Sequence, residues 1–262
     1  MRYLFLILCF LFVSVPAHAK LYKQTVEYRQ EDAILEGYLV QDQKYLLMKT
    51  KVPGIILVHD WMGLGDYAKQ RADMLAQMGY IVFAVDIYGK DVRPKNQEEA
   101  AKQAGIYKGD RQLMRARAQA GLDFLKNYGP VDSQRIAAIG YCFGGTTVLE
   151  MARAGMPLAG VISFHGGLAT PMPAEKGDVK PKVLVLHGAD DPFVPPAEVA
   201  DFQKEMNSAG ADWQMVYYSG AVHSFTRKDA GDNNAKGAAY NARADKRSWG
   251  AMKIFLDELF KK

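Results

Sequence analysis

Arg135-Ile136-Ala137-Ala138-Ile139-Gly140-Tyr141-Cys142-Phe143-Gly144-Gly145 is the stretch from which the rest of the chain is read. An apolar run leads into Gly-x-Cys-x-Gly-Gly, and a helix-like stretch through Arg153 follows. The pattern predicts a strand, a sharp turn and a helix, with Cys142 on the turn as the nucleophile. A residue held on such a turn sits in strained backbone. Gly140 and Gly144 leave room for the close backbone approach that a side chain would block. The reaction class this implies is acyl transfer through a thiolate.

The N-terminus sets the context of that cysteine. Met1-Arg2 is a short positive start, Tyr3 to Val15 is almost wholly apolar, and Ala17-His18-Ala19 is a small-x-small cleavage signal. This reads as a secretory signal peptide over residues 1–19, cleaved after Ala19. The apolar run is too short for a membrane span and has no stop-transfer flank. A periplasmic or secreted protein is expected, with one domain over residues 20–262. Cleavage removes Cys9 and leaves Cys142 as the one cysteine, so no intramolecular disulfide can form. A lone thiol in an exported protein is either a buried inert hydrophobe or a nucleophile, and the glycine-flanked turn favours the nucleophile.

Loss of Arg2 lowers the formal net charge of +4 by one, and the remaining charge is spread along the chain. There is no concentrated basic tract and no nucleic-acid motif. No second apolar run is long enough to cross a bilayer. Internal repeats and low-complexity tracts are absent from the sequence, and a monomer is expected.

Gln24–Arg29 and Ala33–Val40 predict an N-terminal hairpin. Strands are expected at Gly54–His59, Ile81–Val85, Arg135–Tyr141, Gly160–Phe164, Lys182–His187 and Asp212–Tyr218. Helices are expected at Tyr67–Met78, Gln97–Tyr107, Arg111–Lys126 and Pro196–Ala209. An amphipathic C-terminal helix carries Trp249, Met252, Leu256 and Leu259. Strands and helices alternate after the hairpin, which implies a mostly parallel sheet with helices on both faces. In such a sheet the ligand site lies outside the carboxyl ends of the strands.

A cysteine nucleophile needs a base and a group that orients the base. The strand Lys182–His187 ends in Gly188-Ala189-Asp190-Asp191-Pro192-Phe193-Val194-Pro195, and the next strand ends in Gly220-Ala221-Val222-His223-Ser224-Phe225. The order nucleophile, acid, histidine is that of the α/β-hydrolases. His223 is the candidate base. Asp190 and Asp191 compete for the acid, and Asp191 is favoured.

The chain resembles the dienelactone hydrolases, an α/β-hydrolase family with a Cys-Asp-His triad. The resemblance runs from about Gly54 to the last helix. It rests on Gly-Tyr-Cys-Phe-Gly-Gly around Cys142, Asp-Pro-Phe-Val-Pro from Asp191 and His-Ser-Phe-Thr-Arg from His223. It implies an esterase or lactonase that needs no cofactor, with Asp191 rather than Asp190 as the acid. It also implies an acid after the first sheet strand that accepts the thiol proton. The family commonly has glutamate there; here the position is Asp60, one methylene shorter, which reads equally as a capping or turn acid. The oxyanion would be held by the backbone N–H of Phe143 and, by resemblance, of Trp61. Lys90 and Arg227 match two arginines that grip a substrate carboxylate. Arg227 keeps the guanidinium fork and Lys90 only a point charge, and both read equally as solvated cations.

Sulfur suits activated esters such as enol lactones and thioesters more than amides. In an oxidising compartment it is expected to be recessed, forming thiolate when substrate binds. Two other readings stand beside this one. His59, His165 and His187 at strand ends, with Asp60 and Asp191, are ligand types for a metal-dependent hydrolase, although no metal-binding spacing is present. The fold could also carry a non-catalytic binding protein.

Overall fold

The structure, a computed structural model, describes residues 20–260. The signal peptide expected over residues 1–19, with Cys9 and the cleavage point after Ala19, lies outside the described residues.

Eight strands and six helices follow the predicted alternation. β1 (Leu21–Gln30) and β2 (Ala33–Asp42) form the hairpin; β3 (Val52–Val58), α1 (Asp66–Gln77) and β4 (Ile81–Val85) follow. Then come α2 (Gln97–Gly109), α3 (Arg111–Asn127), β5 (Val131–Tyr141), α4 (Phe143–Arg153) and β6 (Gly160–Phe164). The chain closes with β7 (Lys182–Gly188), α5 (Pro196–Ala209), β8 (Trp213–Tyr218) and α6 (Ala242–Phe260). The strands form one eight-stranded sheet in the order β1-β2-β4-β3-β5-β6-β7-β8. β1, β2 and β4 are joined antiparallel, and every pairing from β4 through β3 to β8 is parallel. This is the mostly parallel sheet with an N-terminal antiparallel hairpin that the sequence implies.

The main departures are in strand length. The hairpin register runs unbroken from Leu21↔Asp42 to Gln30↔Ala33, well past the expected ends. β5 begins at Val131 rather than Arg135, because Val52 and Pro53 pair with Val131 and Asp132 before an irregularity ahead of Gly54.

Side chains of a strand alternate between faces, so each buried strand feeds two cores. Ile56, Val58, Phe83, Val85 and Ala138 pack with Met114, Leu122 and Leu125 of α3, Val148 of α4 and Phe202 of α5. Ile55, Leu57, Val82, Ala84 and Ile139 face Ala72 and Leu75 of α1 and Met252, Phe255 and Leu256 of α6. Both faces are covered, so the edge formed by the carboxyl ends of the parallel strands is where polar residues gather. Asp110 shows how short connections are kept: it ends α2, and its carboxylate accepts from the Leu113 N–H to cap α3. Among the described residues no helix is long and apolar enough to cross a membrane.

Candidate active site

β5 ends at Tyr141, and Cys142 is the N-cap of α4 with φ 55° and ψ −114°. A non-glycine residue with positive φ is strained by about 1–3 kcal/mol and persists only when its surroundings enforce it. Two glycines supply the enforcement. A Cβ on Gly140 would lie 2.0 Å from the Gly144 carbonyl oxygen, and a Cβ on Gly144 would lie 2.2 Å from the Val58 oxygen. The strand, the turn and the helix can close this tightly only without those atoms. The sulfur is held at the N-terminus of α4, where free N–H groups and the helix dipole favour negative charge. Its side chain is part-buried.

His223 arrives from the loop after β8. Its backbone is pinned by hydrogen bonds to Gly237 and from Ala239. Its Nε2 lies 3.0 Å from Cys142 Sγ and its Nδ1 2.8 Å from Asp191 Oδ2. The other carboxylate oxygen of Asp191 accepts from the Phe193 N–H at 2.9 Å. Asp191 is buried, while Asp190 is exposed and faces solvent. Burial draws the His223 pKa down, but the Cys142 sulfur and Asp191 outweigh it and raise it to about 10. The ring therefore bridges sulfur on one side and carboxylate on the other.

The structure brings Asp60 to this edge but gives its carboxylate to other partners. Oδ1 accepts from the Met62 N–H at 2.8 Å and Oδ2 pairs with Arg227. Arg227 also holds Asp229 through Nε at 2.9 Å and lies over the Tyr67 ring, 5.1 Å from its centroid. Lys90 goes elsewhere. Its ammonium pairs with Glu27 of the edge strand β1, and its other charged neighbours are Asp91 and Glu36. It makes no hydrogen bond or ion pair with Cys142, His223, Asp60 or Arg227, and its backbone N–H is held by Ile34 O of the hairpin at 3.0 Å. The backbone N–H of Phe143 opens α4 and has no intrahelical acceptor. The N–H of Trp61 has no acceptor among the described residues.

Two of the other strand-end histidines have both ring nitrogens hydrogen-bonded. His59 donates from Nδ1 to the Asp60 carbonyl at 2.6 Å and accepts the Ile87 N–H on Nε2 at 3.2 Å. His165, with φ 40°, accepts on Nδ1 at 3.2 Å the Cys142 N–H, which is shared with the Phe164 carbonyl at 3.0 Å, and its Nε2 donates to Thr226 Oγ1 at 2.7 Å. Its ring meets His223 edge to face at 5.3 Å. Burial, then the His223 charge, holds its pKa well below the usual value, so it stays neutral. His187 stacks edge-on against Tyr217. Among the described residues no three His, Cys, Asp or Glu side chains converge as a metal site. In His59 and His165 both ring nitrogens are taken by hydrogen bonds, while His187 Nδ1 is buried without a hydrogen-bond partner among the described residues.

Sequence reasoning missed Thr226, Tyr67 and the contacts of His165. Tyr67 Oη lies 2.6 Å from Thr226 Oγ1, and only the polar cluster His223–Arg227 hinted at it. It also missed Phe193, which is 59% exposed and stands edge-on to His223 at 5.4 Å.

A strained cysteine turn between strand and helix on this sheet, met from the following strand ends by an acid and a histidine in that order, is the arrangement of the α/β-hydrolases. Comparison with known proteins narrows the class. The dienelactone hydrolase family model matches residues 35–260, and the chain belongs to that family. A crystal structure of a dienelactone hydrolase-like promiscuous phosphotriesterase from metagenomic libraries superposes with a TM-score of 0.85 at 38% identity, covering 91% of this chain and 98% of that one. An uncharacterised protein of Caenorhabditis elegans is 37% identical over 151 residues, covering 56% of this chain and 94% of its own. A protein of Aquifex aeolicus whose name marks it as a candidate carboxymethylenebutenolidase is 26% identical over 220 residues, covering 80% of this chain and 89% of its own. The chain is a dienelactone hydrolase-like hydrolase.

Proposed function

We propose that the protein is an exported hydrolase of small-molecule esters or lactones that works through Cys142, His223 and Asp191. The observation that carries this is the unbroken contact from Asp191 through His223 to the sulfur of a residue held at positive φ. In the proposed cycle the Cys142 thiolate attacks the acyl carbon and the carbonyl electrons move to oxygen. The N–H groups of Phe143 and Trp61 receive that oxyanion. As it collapses, the C–O bond breaks and the leaving oxygen takes the proton held on His223. The product is a thioester. Water, giving a proton to His223, then attacks the thioester and restores the thiolate. Asp191 keeps His223 in the tautomer that presents Nε2 to sulfur. No cofactor enters these steps.

Arg227 is the proposed grip for a substrate carboxylate, alone rather than with Lys90. An anion arriving at Arg227 competes with Asp60 for the guanidinium, which links anion binding to release of the Asp60 carboxylate. The test is p-nitrophenyl acetate hydrolysis by the purified protein and by Cys142→Ala after dialysis against EDTA. Activity that survives EDTA and is lost in the variant is the expected result. Equal activity in both, or loss with EDTA, overturns the reading.

A further inference from the structure

His59 is fully buried and takes no part in the steps above. Its hydrogen bonds fix its chemistry. The Ile87 N–H can only donate, so Nε2 must accept and the ring proton must sit on Nδ1. Nδ1 then donates to the Asp60 carbonyl at 2.6 Å. That carbonyl belongs to the peptide whose nitrogen is Trp61. There are no cis peptide bonds among the described residues, so the Trp61 N–H points away from the Asp60 oxygen across a planar unit. The atom His59 holds and the atom aimed outward are two ends of one rigid group. The Gly63 N–H donates to the same oxygen at 3.1 Å. The His59 ring also stacks on Phe143, at 5.8 Å and 14°, and Phe143 carries the other outward N–H. Tyr88, edge-on to His59 at 4.8 Å, donates its hydroxyl to the next carbonyl, Trp61 O, at 3.0 Å.

We propose that His59 is a positioning residue for the oxyanion hole: it orients and polarises the Asp60–Trp61 peptide so that the Trp61 N–H meets the developing oxyanion. A donor on a peptide oxygen strengthens the N–H of the same peptide as a donor. The role requires a neutral, Nδ1-protonated ring, and burial keeps it uncharged against the pull of Asp86 and Asp60 and with the help of Arg93. This inference rests on the thioester reading above, in which an oxyanion forms at all.

The test separates oxyanion chemistry from nucleophile chemistry. Acylation of Cys142 by p-nitrophenyl acetate, followed as p-nitrophenolate release, passes through an oxyanion. Alkylation by iodoacetamide does not: a C–S bond forms, iodide leaves, and no carbonyl oxygen gains charge. His59→Phe keeps the ring against Phe143 and removes both hydrogen bonds. The expected result is acylation slowed by about 10- to 100-fold, with KM and the iodoacetamide rate within twofold of the parent. His59→Asn, which restores a donor near Nδ1, is expected to regain most of the acylation rate, and His59→Gln, which reaches toward Ile87 instead, is not. If His59→Phe does not fold, the Asn and Gln pair decides. Equal loss of acylation and alkylation, no loss of acylation, or Asn no better than Gln overturns the proposal. Failure of the thioester reading has a different signature, acylation that persists in Cys142→Ala.

Discussion

Gly140→Ala is the sharpest probe of how the turn holds its cysteine. The added Cβ would lie 2.0 Å from the Gly144 oxygen, 2.2 Å from the Gly144 carbon and 2.7 Å from the Gly145 nitrogen. Carbon and oxygen settle at about 3.3 Å, so roughly 1 Å or more must be found. Every opposing atom is backbone of the first turn of α4, and none can rotate aside. Either that turn backs away from β5 or the Cys142 turn opens. In both cases a shift of about 1 Å takes the sulfur out of its 3.0 Å contact with His223. A misplacement of that size costs about 100-fold in rate, or about 2.7 kcal/mol of transition-state stabilisation. Overpacking also costs about 1–3 kcal/mol of stability, which at about 2–4 °C per kcal/mol lowers Tm by about 2–12 °C. The assays are kcat/KM on p-nitrophenyl acetate and a calorimetric Tm. Gly105→Ala in α2 is the control, since a Cβ there meets nothing within 4 Å. It should raise Tm by about 2–4 °C through helix propensity and leave activity unchanged. A Gly140→Ala enzyme within twofold of the parent in kcat/KM would refute the reasoning.

Three further outcomes follow from the charges. His223 has its folded pKa raised to about 10 from 6.5, so its pairing stabilises the fold fully below about pH 6.5 and is lost as pH rises through about 10. Tm should therefore fall between pH 7 and pH 10.5, and fall less in Cys142→Ala; equal slopes in the two proteins would remove the sulfur as the cause. Arg227→Gln should raise KM about tenfold for an ester bearing a carboxylate, the low end of a charge-assisted bond for a side chain left 17% exposed, and leave a neutral ester unchanged. An equal effect on both esters would count against an anion site. Lys90→Gln should leave both KM values within twofold, because its ammonium belongs to Glu27, and a KM raised only for the anionic ester would return Lys90 to the site.

The fold was legible because two periodicities switch cleanly along the chain. Continuous apolar runs such as Ile81–Val85 and Gly160–Phe164 could only be strands buried on both faces, and both keep those bounds. Asp110 and Gly210 stop and start helices by capping, a local effect that the sequence prints directly. Strand ends were less legible. β5 extends back to Val131 through Asp132 and Gln134, which carry no apolar signal and are recruited by pairing with Val52 and Pro53. That is a tertiary choice, invisible to a window of neighbours.

The site divides along the same line, and its histidines show why. His59, His165 and His187 stand at the ends of three strands, and by type and position they are interchangeable. What separates them is which atoms face each ring nitrogen. The Ile87 N–H meets His59, and the Cys142 N–H meets His165. A backbone N–H is an obligatory donor, so it consumes the lone pair that a metal ligand would need and sends the ring proton to the opposite nitrogen. In His59 that proton lands on the Asp60 carbonyl, and in His165 on Thr226. Neither partner can be found by spacing: Ile87 and Thr226 lie 28 and 61 residues from the rings they meet. His223 differs because no backbone donor claims it, and a carboxylate and a sulfur take its two nitrogens. The same residue type thus becomes a fixed strut where an N–H meets the ring, and a bridge between ionisable groups where a carboxylate and a sulfur do.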